Sequence, residues 1–120
     1  MDNAENRKWT VDVIIPTYRP GREFGELIRR IEEQEYRPDR ILVMNTGEQY
    51  WNREWECCPI LEVHHLDQKD FDHGGTRRRA AQLSNADIMI FMTQDALPAD
   101  RKLVGNLVHA VSSDPQTGAA

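Results

Sequence analysis

Residues Val11 to Ile15 form a run dominated by β-branched side chains with little alternation, closed by Pro16. A run of that kind fits a strand buried on both faces, as in a parallel sheet. After Pro20 and Gly21, apolar residues return at helical spacing as Phe24, Leu27, Ile28 and Ile31, with Glu and Arg between them. This predicts an amphipathic helix that ends near Glu35. Pro38 and Asp39 introduce a second apolar run, Ile41 to Met44, which stops at the turn-forming tripeptide Asn45-Thr46-Gly47. The chain therefore opens as strand, helix, strand.

The stretch from Glu48 to Pro59 alternates polar and aromatic residues and predicts no regular element, with Tyr50, Trp51 and Trp55 expected to pack it onto the domain. Ile60 to Leu66 reads as a third strand. Asp67 to Gly75 reads as a polar loop whose paired glycines permit close backbone approach to a ligand. A helix follows, with Thr76, Ala80 and Leu83 on its inner face and Asn85 at its end. Ile88 to Met92 predicts a fourth strand and Thr93 to Pro98 a loop. Val104, Leu107, Val108 and Val111 mark a last helix before Asp114-Pro115, and Gly118-Ala119-Ala120 reads as the start of a further strand. There is no internal repeat.

Alternating strands and helices with short connections predict an α/β, Rossmann-like fold, a mainly parallel sheet covered on both faces. Ligands of such sheets bind outside the carboxyl ends of the strands. The segments to inspect are then Pro16 to Arg19, Asn45 to Gly47, Asp67 to Gly75 and Thr93 to Asp95.

Composition narrows the choice. A chain of 120 residues, 39% hydrophobic, builds one core; residues 1–8 are expected to be a flexible segment and 9–120 the domain. A net charge of -5 and a pI near 5.3 argue against nucleic acid as a partner. No apolar run approaches the roughly 20 residues needed to span a bilayer, and the polar start has no signal-peptide core, so no transmembrane segment and a cytoplasmic location are expected. The adjacent Cys57 and Cys58 are poorly placed for a disulfide and imply a reducing compartment. His64 and His65 follow, but neighbours on a strand point to opposite faces, which disfavours a zinc cluster.

The first strand ends in Pro16-Thr17-Tyr18, without the glycine-rich turn of dinucleotide binders, and no Walker-type phosphate loop occurs. Gly74 and Gly75 lead into a helix N-terminus, where backbone N–H groups and the helix dipole favour a phosphate, with Arg77 to Arg79 close by. Ile90 to Met92 runs out into Thr93-Gln94 and one carboxylate, Asp95.

Here the sequence resembles a known family. Val13-Ile14-Ile15-Pro16-Thr17-Tyr18 is similar to the opening strand of family 2 glycosyltransferases, of GT-A fold, and Phe71-Asp72-His73-Gly74-Gly75-Thr76-Arg77 resembles the corresponding segment of rhamnosyltransferase-like members. Asn45 stands where the family usually has aspartate, although an amide oxygen can also accept from the imide N–H of uracil or thymine. Ile90 to Asp95 stands where the family has its DXD motif; Thr93 departs from it and only Asp95 matches.

The resemblance implies a three-layer GT-A sandwich and an inverting transfer from a dTDP- or UDP-linked sugar, rhamnose being favoured by the Phe71 to Arg77 segment. The acceptor would be a glycan or a lipid-linked molecule, the latter at the inner membrane face. The implied donor-binding residues are Pro16, Thr17, Tyr18, Arg19, Asn45, Gly47, His73, Gly74, Gly75, Arg77, Gln94 and Asp95, with Mg2+ or Mn2+ at Asp95. The family's carboxylate base lies farther along the chain and no residue up to Ala120 matches it, so a truncated, donor-binding part is expected. The rival reading is a nucleotide-binding or regulatory α/β module without chemistry, which a downstream acidic base would exclude.

Overall fold

The computed structural model describes residues 9–67, 73–98 and 100–113. Its sheet has four parallel strands in the order β3-β2-β1-β4: β1 Val11–Tyr18, β2 Arg40–Thr46, β3 Leu61–Leu66 and β4 Ile88–Phe91. The helices are α1 Glu23–Glu32, α2 His73–Leu83 and α3 Leu103–Ser113. Short 3-10 turns at Glu48–Tyr50 and Arg53–Cys57 occupy the stretch for which the sequence predicts no regular element.

The strand pattern splits the core in two. Val11, Val13, Ile15, Ile41 and Val43 face α1 and α3, meeting Phe24, Leu27, Ile28, Ile31, Val104 and Val108. On the opposite face Ile14, Leu42 and Met44 meet Ala80 of α2. Three layers result, because strands apolar on both sides need cover on both. Phe24, Trp51 and Trp55 close the first core edge-to-face, with ring centroids 4.9–5.9 Å apart. Tyr50, expected to pack there too, is exposed instead.

Several boundaries differ from the sequence-based expectation for identifiable reasons. Pro16 does not close β1, which runs on to Tyr18 while paired with β2 through Thr46. The carbonyl of Ile14 accepts from Met92 N–H, so the backbone of Pro16, two residues on, faces the same side, where the β4 pairing has already ended at Phe91. The missing N–H therefore breaks no ladder bond. Asn45 and Thr46 are strand residues, fully buried, and only Gly47, at φ 87°, makes the turn. Helix α1 stops at Glu32, and the Gln34 amide takes over: Oε1 accepts from Val104 N–H while Nε2 donates to the carbonyls of Arg30 and Asp100, tying α1 to the start of α3. Helix α2 begins at His73, which puts Gly74 and Gly75 in its first turn, not in a loop.

Residues 1–8, Phe71, Asp72 and the segment from Asp114 onward, for which expectations were stated, lie outside the described residues. Among the described residues, no helix is long and apolar enough to cross a membrane.

Candidate functional site

The order β3-β2-β1-β4 reverses direction between β1 and β4, and all strands are parallel, so a ligand crevice is expected above the carboxyl ends of β1, β2 and β4. The topology brings Pro16, Asn45, Gly74 and Asp95 to that one edge. Asn45 and Asp95 are on the same side of the sheet because the ends of β1 touch both neighbours: Tyr18 pairs with Thr46, and its backbone is held by Gln94.

A polar row crosses the edge. Thr17, Asn45 and His65 are register neighbours on β1, β2 and β3, on the face that carries Ile15, Val43 and Val63 one pair below. Thr17 Oγ1 donates to Asn45 Oδ1 at 2.7 Å; Asn45 Nδ2 donates to the Gly47 carbonyl at 3.3 Å and meets His65 Nδ1 at 3.1 Å. Asn45 is wholly buried and Thr17 nearly so, while His65 is exposed and braced edge-on by Trp51. The Asn45 amide oxygen, expected to accept from the imide N–H of a base, is thus taken by Thr17, and the side chain is an internal strut, satisfied as buried polar groups must be.

Arg19 follows β1 in the left-handed region, at φ 48°, unusual for a residue with a side chain. Its guanidinium lies 5.3 Å from the Tyr18 ring centroid and 4.6 Å from that of Tyr50. Rings fix a guanidinium without neutralising it, in contrast to Arg29, Arg30, Arg37 and Arg40, which are paired with carboxylates. The Tyr50 ring sits over Gly47, 3.1 Å from where a Cβ would be.

The described aspartates separate into two groups. Asp39 accepts from Val11 N–H, Asp87 from Thr10, Asp100 from Lys102 N–H, and Asp12 from Arg40 and Ser84. Asp67 and Asp95, just past β3 and β4, are exposed and make no hydrogen bond or ion pair with the described residues. A polar cleft of about 570 Å³ opens beside β2 and β3, lined by Gly47, His65, Asp67 and Arg79 among others. Thr76, in the first turn of α2, is buried with an unpartnered hydroxyl, and Gly75 is half-buried beside it. His73, Gly74 and Arg77 belong to the helix backbone; their side chains lie outside the described ones.

Gln94 acts as a substitute strand residue. Its Oε1 accepts from Tyr18 N–H at 2.7 Å and its Nε2 donates to the Tyr18 carbonyl at 3.2 Å, continuing the ladder where β4 has ended. Both amide ends are therefore committed to the backbone, and Gln94 positions Asp95 next to β1. Gln94→Ala is expected to cost about 1–2 kcal/mol in urea unfolding, two net hydrogen bonds. Gln94→Glu, which can accept from Tyr18 but not donate to it when ionised, should lose about half of that.

His65, Asp67 and Tyr50 were not singled out by sequence reasoning as site residues. For His65 the signal was present: of two adjacent histidines at a strand end, one must share the face of the buried row.

The family model described as glycosyl transferase family 2 matches residues 12–120. The chain is 37% identical over 112 residues to the O-antigen chain rhamnosyltransferase RfbN of Salmonella typhimurium, covering 88% of this chain and 34% of that protein. It spans about a third of the length of that curated relative. Among solved structures it is similar to the mannosyltransferase PcManGT of Pyrobaculum calidifontis, in complex with GDP-Man and Mn2+, at TM-score 0.74 and 24% identity, over 91% of this chain and 34% of that one. It is also similar to S. aureus TarS residues 1-349, at TM-score 0.69 and 17% identity, over 87% and 32%. The α/β sheet with its three layers is thus of the GT-A type.

Proposed function

The chain belongs to glycosyl transferase family 2, and we propose that its polar edge is the donor side of a glycosyltransferase site, binding the base and diphosphate of a dTDP- or UDP-linked sugar. Rhamnose is the sugar favoured by the 37% identity to a rhamnosyltransferase. The activity of the whole protein would be inverting transfer to a glycan or lipid-linked acceptor in polysaccharide assembly.

The observation that carries the reading is the exposed Asp95 carboxylate at the strand-order reversal, without a hydrogen bond or ion pair among the described residues and placed beside Tyr18 by Gln94. Tyr18 offers a ring to the base, and Arg19 and Arg79 offer charge to the diphosphate. The N-terminus of α2, with Gly74 and Gly75 in its first turn, adds backbone N–H groups that suit a phosphate.

Asp95 also fits a divalent cation, Mg2+ or Mn2+. Among the described residues no group of acids, histidines or cysteines is sufficient to hold a metal alone, and these hard ions accept one carboxylate when phosphate oxygens and waters complete the shell. Bound there, the cation would supply positive charge to the departing diphosphate. Calorimetric titration tests the reading: UDP or dTDP should bind this chain, more tightly with Mn2+ or Mg2+ than with a chelator. No binding of either nucleotide by folded chain would remove the donor-site assignment.

A further inference from the structure

The hydrogen bonds around Asn45 fix more than its own position. The Gly47 carbonyl can only accept, so the amide atom facing it is the NH2 group, and Oδ1 is the atom that accepts from Thr17. The same NH2 group meets His65 Nδ1 at 3.1 Å. An N–H facing a ring nitrogen requires that nitrogen to be an acceptor, so His65 Nδ1 carries no proton. The ring is then neutral, with its proton on Nε2. Trp51 sets the plane of the ring, with centroids 5.8 Å apart at 73°. Nε2 has no partner among the described residues, and the exposed imidazole lines the cleft beside β2 and β3.

We infer that His65 is a specificity-determining residue whose Nε2–H recognises a carbonyl oxygen of the donor's base, with Asn45 as the positioning residue that selects this tautomer. The inference rests on the nucleotide-site reading above. A neutral donor suits a neutral carbonyl, such as those of uracil and thymine, whereas the same cleft already has Arg79 for an anion. Asn45 then reads the base through His65 without touching it.

Two measurements on this chain test the proposal, with circular dichroism first establishing that each variant is folded. In ¹⁵N-resolved NMR of the imidazoles, His65 should be the neutral Nε2–H form, and Asn45→Asp, whose carboxylate accepts a proton from Nδ1, should abolish that form. In calorimetry, His65→Phe, which keeps a ring against Trp51, should weaken UDP and dTDP binding about tenfold, the effect of one unsatisfied donor–acceptor pair. His65→Gln, whose amide can donate from near the same point, should retain most of the affinity. An Nδ1–H tautomer in the wild type, or His65→Phe binding as well as wild type, would overturn the inference while leaving nucleotide binding intact. Equal loss in the Phe and Gln variants would make His65 a structural residue and overturn it too. If the wild type binds neither nucleotide, the donor-site reading fails and this inference with it.

Discussion

Arg40→Ala is expected to destabilise the chain by about 3 kcal/mol, because removing one partner of a buried ion pair strands the other charge. Arg40 extends from the amino end of β2 under the sheet, donating to Asp12 Oδ2 at 2.9 Å, Glu62 Oε1 at 3.0 Å and the Leu83 carbonyl at 2.9 Å. Asp12 is only 4% exposed, and after the substitution its carboxylate would keep the Ser84 hydroxyl as its remaining partner among these contacts. For a domain of this size the melting temperature should fall by roughly 10–15 °C. Asp12→Asn added to Arg40→Ala should recover part of the loss, since a neutral amide tolerates burial beside Ser84 far better than an unpaired charge. A double variant no more stable than Arg40→Ala would show that the ion pair is not the source of the effect.

The same network has a pH signature. The hydrogen bond from His64, aided by Arg40, holds the Glu62 carboxyl below the usual carboxylate range against the opposing effect of burial. A depressed carboxylate stabilises the fold above its unfolded pKa, and this contribution is lost as pH falls through the folded value. Arg40→Ala should therefore also flatten the acid side of the stability profile.

The elements legible in the sequence were those fixed by local pattern. The apolar runs at β1, β2 and β4 and the helical spacing of Phe24, Leu27, Ile28 and Ile31 led directly to a three-layer α/β core. Less legible were features set by register. Pro16 reads as a terminator unless it is known that its backbone faces the side where β4 has stopped. Asn45 reads as a turn residue until β2 is aligned with β1 and β3, after which Thr17, Asn45 and His65 become one row. The Gln34 and Gln94 struts are invisible for the same reason: each amide replaces backbone partners 60 or more residues away. Asp95, four residues past the end of β4, was singled out by the family resemblance, since a lone aspartate after a strand otherwise reads as a turn residue.

The largest effect on ligand binding is expected at Asp95. If a divalent cation bridges this carboxylate and the nucleotide diphosphate, neither component alone makes an adequate site for a hard ion, so metal and nucleotide must strengthen each other's binding. Asp95→Asn should remove that strengthening, about tenfold or more, or about 1.4 kcal/mol per factor of ten. It should leave metal-free UDP or dTDP affinity nearly unchanged, because the Asn45–His65 pair assigned to the base is held by Thr17, Gly47 and Trp51 and not by Asp95. The fold should also be indifferent to the change: Asp95 is exposed and has no hydrogen bond or ion pair among the described residues, unlike Asp39 and Asp87. Coupling is reciprocal, so a titration of Mn2+ in the presence and absence of UDP should give the same factor as a titration of UDP with and without Mn2+. Wild-type binding that is equally tight with and without metal would make Asp95 a turn residue, and the positive charge for the departing diphosphate would then have to come from arginines such as Arg19 and Arg79.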